Sequence, residues 1–540
     1  MQGVFIQYVY LILIILGLVM LASKLRIAYP IVLVVGGLAL SLVSQFSNIT
    51  IDPELVFFIF LPPLLYEAAW QVSWKEFWKW RRIIAGFAFP IVIITACVIA
   101  FVSNWLIPGF TLALGFLLGG IISPPDAVSA TTIMRRVDVP KGLLSIAEGE
   151  SLLNDASSLI VFRFALAAVI TGQFHIQEAA GTFVLVIAMG IVAGLLVGAV
   201  FYAIHRYLLT TTGIEIVLTI VTPYCMYYLA ESFHFSGVLA VVSGGLFLSS
   251  RRQSMLSYRT RIEAVNVWNS LIFILNGLVF MLIGLQLPSI AGRLGDIGVT
   301  TAIFYGLVIS VVLILTRLLS ALGSSVFTIF MSRFITVAQA NPGWRNPLIF
   351  GWAGMRGVVS LAAALSIPVL MRDGQAFPFR DLILFITFIV ILVTLVFQGL
   401  TLPWVIRKLK QDDLDEIVVP AREQEMIIQK KISMASIKFL EEKYGVERAQ
   451  NEHLDNLFAR LELDLRYFEQ GIDDTHRISE NVLKDFQVIY LEMLDKQRER
   501  LNEMNRHAEF DEELIRKYLS LIDVEEYKIR EKILQEDIAN

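Results

Sequence analysis

Leu117-Leu118-Gly119-Gly120-Ile121-Ile122-Ser123-Pro124-Pro125-Asp126-Ala127-Val128 begins as a membrane-type apolar run and then meets two prolines and an acid. Proline deletes a backbone donor. A charged side chain at the centre of a membrane helix costs about 2.5–3.5 kcal/mol on insertion scales. A segment that keeps both features inside an apolar run reads as a membrane helix broken for a purpose. The surrounding chain agrees. Of 540 residues, 56% are hydrophobic and 17% charged, and the mean hydropathy is +0.68. Ordinary globular domains carry about 25% charged residues. The charge is also segregated, since 53 of the 92 charged residues follow Arg407. Long apolar runs without strict alternation exclude a membrane β-barrel as well as a soluble fold. Net charge is −4 with no polybasic arm, so nucleic acid is not an expected partner. Cys97 and Cys225 both lie in apolar runs and form no disulfide framework.

Polar and Pro/Gly-rich junctions cut the first part of the chain into thirteen predicted spans, an all-α polytopic membrane protein. They cover 4–22, 28–44, 51–70, 83–106, 110–135, 142–171, 178–205, 213–231, 235–250, 262–286, 298–323, 346–370 and 380–406. The first Lys or Arg is Lys24, after the apolar stretch from Val4 to Leu21, so that stretch reads as a retained span and not a signal peptide. Basic residues fall in alternate loops: Lys24 and Arg26, Lys75 to Arg82, Arg135 to Lys141, Arg251 to Arg261, Arg333 and Arg345, and Arg407 to Lys410. The opposite loops, around Ser47, Pro108, Gln173, His234 and Gly295, are nearly free of them; Arg372 and Arg380 are the exception. The positive-inside rule therefore places the N-terminus outside and the C-terminus in the cytoplasm.

An odd span count permits six-plus-six inverted repeats with span 7 as linker, which pairs span 5 with span 12. Span 12 is interrupted too, by Gly351-Trp352-Ala353-Gly354-Met355-Arg356-Gly357. Matching broken helices in two halves point to a transporter site at mid-membrane. Residues 1–407 are thus the expected transmembrane domain. Residues 408–540, with helical segments at 421–446, 448–470 and 474–536, form an expected cytosolic helical tail for regulation or subunit contact.

The ionisable residues inside the spans each need an account. They are Glu67, four residues after Pro63, then Asp126, Glu148, Glu150, Asp155 and Arg163, and finally Arg317 and Arg356. In span 6, Glu148, Ser151 and Asp155 share one helical stripe, while Glu150 and Asn154 share the next. A hydroxyl one turn from a carboxylate suits a hard monovalent cation, and carbonyls freed at Pro124-Pro125 can complete the shell. His175, His205 and His234 are isolated, so transition-metal ligation is not expected. Glu148 is expected to reach the cytoplasmic interface, and Arg163 and Arg317 to satisfy helix ends or a carboxylate.

Four segments together resemble the signatures of monovalent cation:proton antiporters of the NhaP-type bacterial branch, related to animal sodium/proton exchangers. They are Phe58-Ile59-Phe60-Leu61-Pro62-Pro63-Leu64-Leu65-Tyr66-Glu67, the Pro125-Asp126 break, Gly149-Glu150-Ser151-Leu152-Leu153-Asn154-Asp155-Ala156, and Gly354-Met355-Arg356-Gly357. The resemblance covers roughly residues 5–406, and the Glu-Ser-x-x-Asn-Asp block is its specific part. It implies that Asp155 binds the cation or the proton, with Asp126, Ser151 and Glu67 assisting and Asn154 steadying the site. It also implies a structural ion pair between Glu150 and Arg356. Other branch members carry Thr where this chain has Pro125, so any ligand there is the backbone carbonyl. The resemblance further implies a homodimer, a six-helix core that moves against a dimerisation domain, and a bacterial cell membrane.

A carboxylate withdrawn from water is poorly solvated as a bare anion, so either a proton or a cation can neutralise it. If only neutralised forms cross the barrier, the protein must exchange a cation for H⁺: Na⁺ is the expected one, with Li⁺ or K⁺ open and a K⁺-selective cation/proton antiporter as the alternative. Asn154 beside a single acid suggests one proton per cation and electroneutral exchange. No Walker A run and no cofactor motif is present, so Na⁺ and H⁺ are the expected substrates and no cofactor is expected. A passive channel would need an open pore, and filter loops of the Thr-Val-Gly type are missing. An intramembrane protease would need a buried Ser with His or Lys, or a His pair, and span 6 has neither.

Overall fold

A computed structural model of the chain describes residues 2–25, 27–43, 53–135, 137, 139–172, 176–208, 211–334, 343–371, 374–409, 421–446, 448, 451–470 and 477–504, with further positions between 515 and 530. Among these the regular secondary structure is helical, apart from one isolated antiparallel bridge between Leu370 and Ala376. It divides into two compact units, Met1–Asp415 and Glu416–Asn540.

Seven helices of the first unit are long and apolar enough to cross a membrane: Trp74–Leu106, Gly142–Thr171, Val184–Tyr207, Thr212–Ser232, Tyr258–Ala291, Val299–Met331 and Arg380–Leu409. Shorter apolar helices, among them Tyr29–Ser41, Leu112–Ile122 and Gly237–Ser250, lie between them. Helices Leu112–Ile122 and Ala127–Met134 flank the first break, and Arg345–Trp352 and Val358–Leu365 flank the second. Both expected interruptions are present.

Burial sorts the helices. In Arg380–Leu409, 78% of the most apolar window is inside the protein; in Val184–Tyr207 only 17% is. The first is a central helix. The second displays Leu185, Leu196 and Val200, an apolar surface that suits lipid or a partner helix. Helices approach closely where side chains are small. Cβ atoms on Gly115 and Gly119 would lie 2.6 Å from the carbonyl oxygens of Ala100 and Ala96, so two small-xxx-small edges face each other backbone to backbone.

One boundary differs clearly from the sequence reading. The expected span 83–106 is a continuous helix from Trp74 to Leu106, with a π-turn at Phe87–Ile91 around Pro90. Ser73 caps it by accepting from the Glu76 N–H. Lys75, Lys79, Arg81 and Arg82 suggested a loop, but they continue the helix as an amphipathic turn. Trp80 and Ile84 bury one face, Arg81 lies over the Trp78 ring, and Trp74 stacks on Trp78. Aromatic and basic residues in that arrangement suit the membrane interface.

In the second unit, helices Ala421–Tyr444, Glu452–Gln470 and Arg477–Met504 carry the charged sequence. Phe458 is buried beneath the Arg448 guanidinium, 4.5 Å from its ring centre, and Arg448 also pairs with Asp455 at 2.7 Å. Arg498 meets Asp523 at 2.8 Å and Asp495 at 2.8 Å. The expected segment 474–536 lies partly outside the described residues.

Candidate functional site: a carboxylate cavity at the crossing of two broken helices

Each broken helix leaves four carbonyls or four N–H groups without intrahelical partners. The two breaks supply partners to one another. Arg356, fully buried, donates from Nε to the Ile122 carbonyl at 2.9 Å and from Nη2 to the Ser123 carbonyl at 3.1 Å. Its Nη1 donates to the Gly354 carbonyl of its own segment. A guanidinium therefore caps the C-terminal end of Leu112–Ile122, where the helix dipole is negative. In return the Asp126 N–H donates to the Met355 carbonyl at 2.7 Å. Asp126 also caps the next half-helix, with Oδ2 accepting from Ser129 Oγ at 2.6 Å and from the Ser129 N–H at 3.4 Å. Gly357 permits this approach, because a Cβ there would meet Asp126 Oδ2 at 2.3 Å.

Beside the crossing lies a cavity of about 120 Å³. Asp155, Ser151, Asp126 and Glu67 all line it, from three separate helical segments. Asp155 is 6% exposed, and among the described residues no Lys or Arg forms a salt bridge with it. Glu67 accepts from Gln71 Nε2, one turn on. Asn154 does not line the cavity; fully buried, it donates from Nδ2 to the Pro125 carbonyl at 3.3 Å. The Pro125 carbonyl is thus occupied by an amide donor in this structure. Glu148 lines the cavity as well, and pairs with Arg135 at 2.8 Å. A larger cavity of about 710 Å³ shares Glu67 and Gln71 with the small one and opens between Trp70, Trp268, Arg252 and Arg261.

The expected pair between Glu150 and Arg356 is not the pairing found. Glu150, 2% exposed, receives both terminal nitrogens of Arg317, which is itself 3% exposed. Phe87 and Phe350 hold that guanidinium between their rings at 5.1 and 4.9 Å. Arg356 is committed to carbonyls instead. The reason is geometric: Arg356 sits at the break, within reach of the Ile122, Ser123 and Gly354 carbonyls, whereas Arg317 projects from an intact helix toward span 6. Arg163 likewise meets a carboxylate, Glu231, with two contacts of 2.6 Å. Ser129, Gln71 and Asn276 belong to the site or its support and were not in the expected set. Asn276 had a visible signal, since it is the one polar side chain between Leu271 and Leu285.

The arrangement can hold a small monovalent cation among carboxylate and hydroxyl oxygens, or a proton on one of those carboxylates. The family model described as sodium/hydrogen exchanger, transmembrane, matches residues 10–408. A sodium, potassium, lithium and rubidium/H⁺ antiporter of Bacillus pumilus is 34% identical over 433 residues, 76% of this chain and 62% of that protein. The chain thus spans about three-fifths of the length of that relative. An uncharacterised Na⁺/H⁺ exchanger of Escherichia coli K12 is 30% identical over 529 residues, 94% of this chain and 95% of that one. The solved sodium proton antiporter of Methanocaldococcus jannaschii superposes with a TM-score of 0.59 at 19% identity, over 77% of this chain and all of that one. That likeness establishes the NhaP-type antiporter fold. The chain belongs to the transmembrane sodium/hydrogen exchanger family, whose members are transporters and not enzymes.

Proposed function

We propose that the protein exchanges Na⁺ for H⁺ across the cell membrane, with cation and proton competing for Asp155. The observation that carries this reading is the convergence of Asp155, Asp126, Ser151 and Glu67 on one small cavity, with no Lys or Arg salt-bridged to Asp155 among the described residues. Glu150 is already held in a bidentate ion pair with Arg317. Asp155 is then the acid left to exchange, and Asn154 beside it is neutral. One proton leaves for each Na⁺ that enters, and the cycle is electroneutral. Asp126 and Glu67 assist with oxygen ligands, Ser151 adds its hydroxyl, and Asn154 steadies the Pro125 carbonyl. Alternating access moves a six-helix core against a dimerisation domain within a homodimer. The topology is thirteen spans in two inverted repeats, N-terminus outside and C-terminus cytoplasmic, and residues 408–540 regulate or bridge subunits.

A broader selectivity is the second reading, favoured by the Bacillus pumilus relative, whose name includes K⁺, Li⁺ and Rb⁺. Purified protein in liposomes with an imposed ΔpH tests both. Dissipation by Na⁺ supports exchange, comparison with Li⁺ and K⁺ sets selectivity, and no cation-dependent dissipation refutes the reading. Electroneutrality is tested by the null-point gradient under a clamp of K⁺ and valinomycin, once K⁺ is shown not to be carried. A potential of about 100 mV, worth roughly 2.3 kcal/mol per charge, should leave the balance point unmoved.

A further inference from the structure

We infer that Asn276 is a neutral ligand of the transported cation, which helps to set cation preference without taking part in proton release. The inference rests on the exchange reading above and adds a residue to its site.

Asn276 stands in the middle of the Tyr258–Ala291 helix, amid Ile274, Leu275, Leu278 and Val279. An amide among such neighbours needs a hydrogen-bonding reason to be there. It is 3% exposed, yet its side-chain oxygen has no donor among the described residues. It also lines the cavity that holds Asp155, Asp126 and Glu67. A structural asparagine would use its amide to cap a helix or bridge two backbones, as Asn154 does at Pro125. Among the described residues Asn276 does neither. Rotation of its terminal torsion exchanges oxygen for nitrogen, so the amide can turn its oxygen toward a cation.

The chemistry follows from charge. Asp155, Asp126 and Glu67 each carry an acid, and any of them can accept a proton. An amide cannot do so at ordinary pH, so it contributes to cation affinity and leaves the proton count unchanged. It comes from a helix other than the three segments that bring the acids. The amide therefore reports on how closely that helix approaches the bound ion, which is what distinguishes one cation radius from another.

The test is kinetic, on full-length protein in liposomes, with KM and kcat measured for Na⁺, Li⁺ and K⁺. Asn276→Ala should raise the KM for Na⁺ about fivefold, the order of one lost polar contact. The ratio of KM values between Na⁺ and K⁺ should change, while the null-point gradient stays put. Asn276→Asp, nearly the same size, guards against misfolding. It adds a competing acid and should make the KM for Na⁺ rise more steeply as pH falls. Unchanged KM values in Asn276→Ala, or one equal factor for all three cations, would overturn the inference, as would an unaltered pH profile in Asn276→Asp. Those results leave the exchange reading standing. Wild-type protein without any cation-dependent proton flux would remove both.

Discussion

Glu150 and Asp155 lie within two turns of each other on one helix, are 2% and 6% exposed, and meet opposite electrostatic surroundings. Glu150 turns away from the cavity and receives a bidentate guanidinium from Arg317, itself sandwiched by Phe87 and Phe350. Asp155 turns into the cavity and has two further acids, Asp126 and Glu67, as company. Burial alone therefore does not mark a functional acid. On the proposed exchange reading the lack of a fixed partner does, because only an acid whose charge is not already cancelled can change its occupant.

The sharpest attempt to break that contrast is Asp155→Asn. It should abolish sodium-driven proton flux entirely while the melting temperature stays within a few degrees of the wild type. Robust flux from purified variant protein would mean that another acid is the exchanger. Next in size come the changes on the other stripe. Removing one member of a buried ion pair strands a charge and costs about 3–5 kcal/mol, so Glu150→Ala and Arg317→Ala should each lower stability by that order. The double variant should lose much less than the sum, and additive melting shifts would refute the pairing. Arg356→Ala should also destabilise, by about 3 kcal/mol, because charged hydrogen bonds to the Ile122 and Ser123 carbonyls are lost. Its effect should depend less on Glu150 than that of Arg317→Ala does, and a stronger coupling in that cycle would reinstate the pair read from the sequence. The smallest effect belongs to Asn154→Ala, about 1 kcal/mol for its single bond to Pro125, measurable as a modest shift in denaturation midpoint with transport retained.

The difference between the two arginines also explains what could be read from the chain. The helical stripe of Glu148, Ser151 and Asp155 follows from spacing alone, and all three line the cavity. The two breaks are equally local, since Pro124-Pro125 and the glycines around Arg356 announce them. Which arginine reaches Glu150 is a different kind of question. Arg317 and Arg356 are both lone cations in apolar runs, and the answer depends on how helix Val299–Met331 is rotated against its neighbours, which no residue spacing encodes. The Trp74 start of its helix was hidden for another reason. Lys75, Lys79, Arg81 and Arg82 read as loop charge in a linear sequence, although their tryptophan neighbours at helical spacing make one apolar face. Asn276 was visible as a polar break in an apolar run, but its nearness to Asp155 depends on tertiary packing.

The bonds that Arg356 makes across the crossing end on main-chain oxygens, not on side chains. That lends the crossing an asymmetric tolerance to mutation. Every amino acid offers a carbonyl, so positions 122 and 123 can drift through many small or apolar residues without unfastening the contact. Position 356 has no such freedom: lysine presents a single nitrogen where three guanidinium nitrogens each reach a separate carbonyl. Random mutagenesis of this segment should therefore recover variants freely on one side of the contact and almost none on the other.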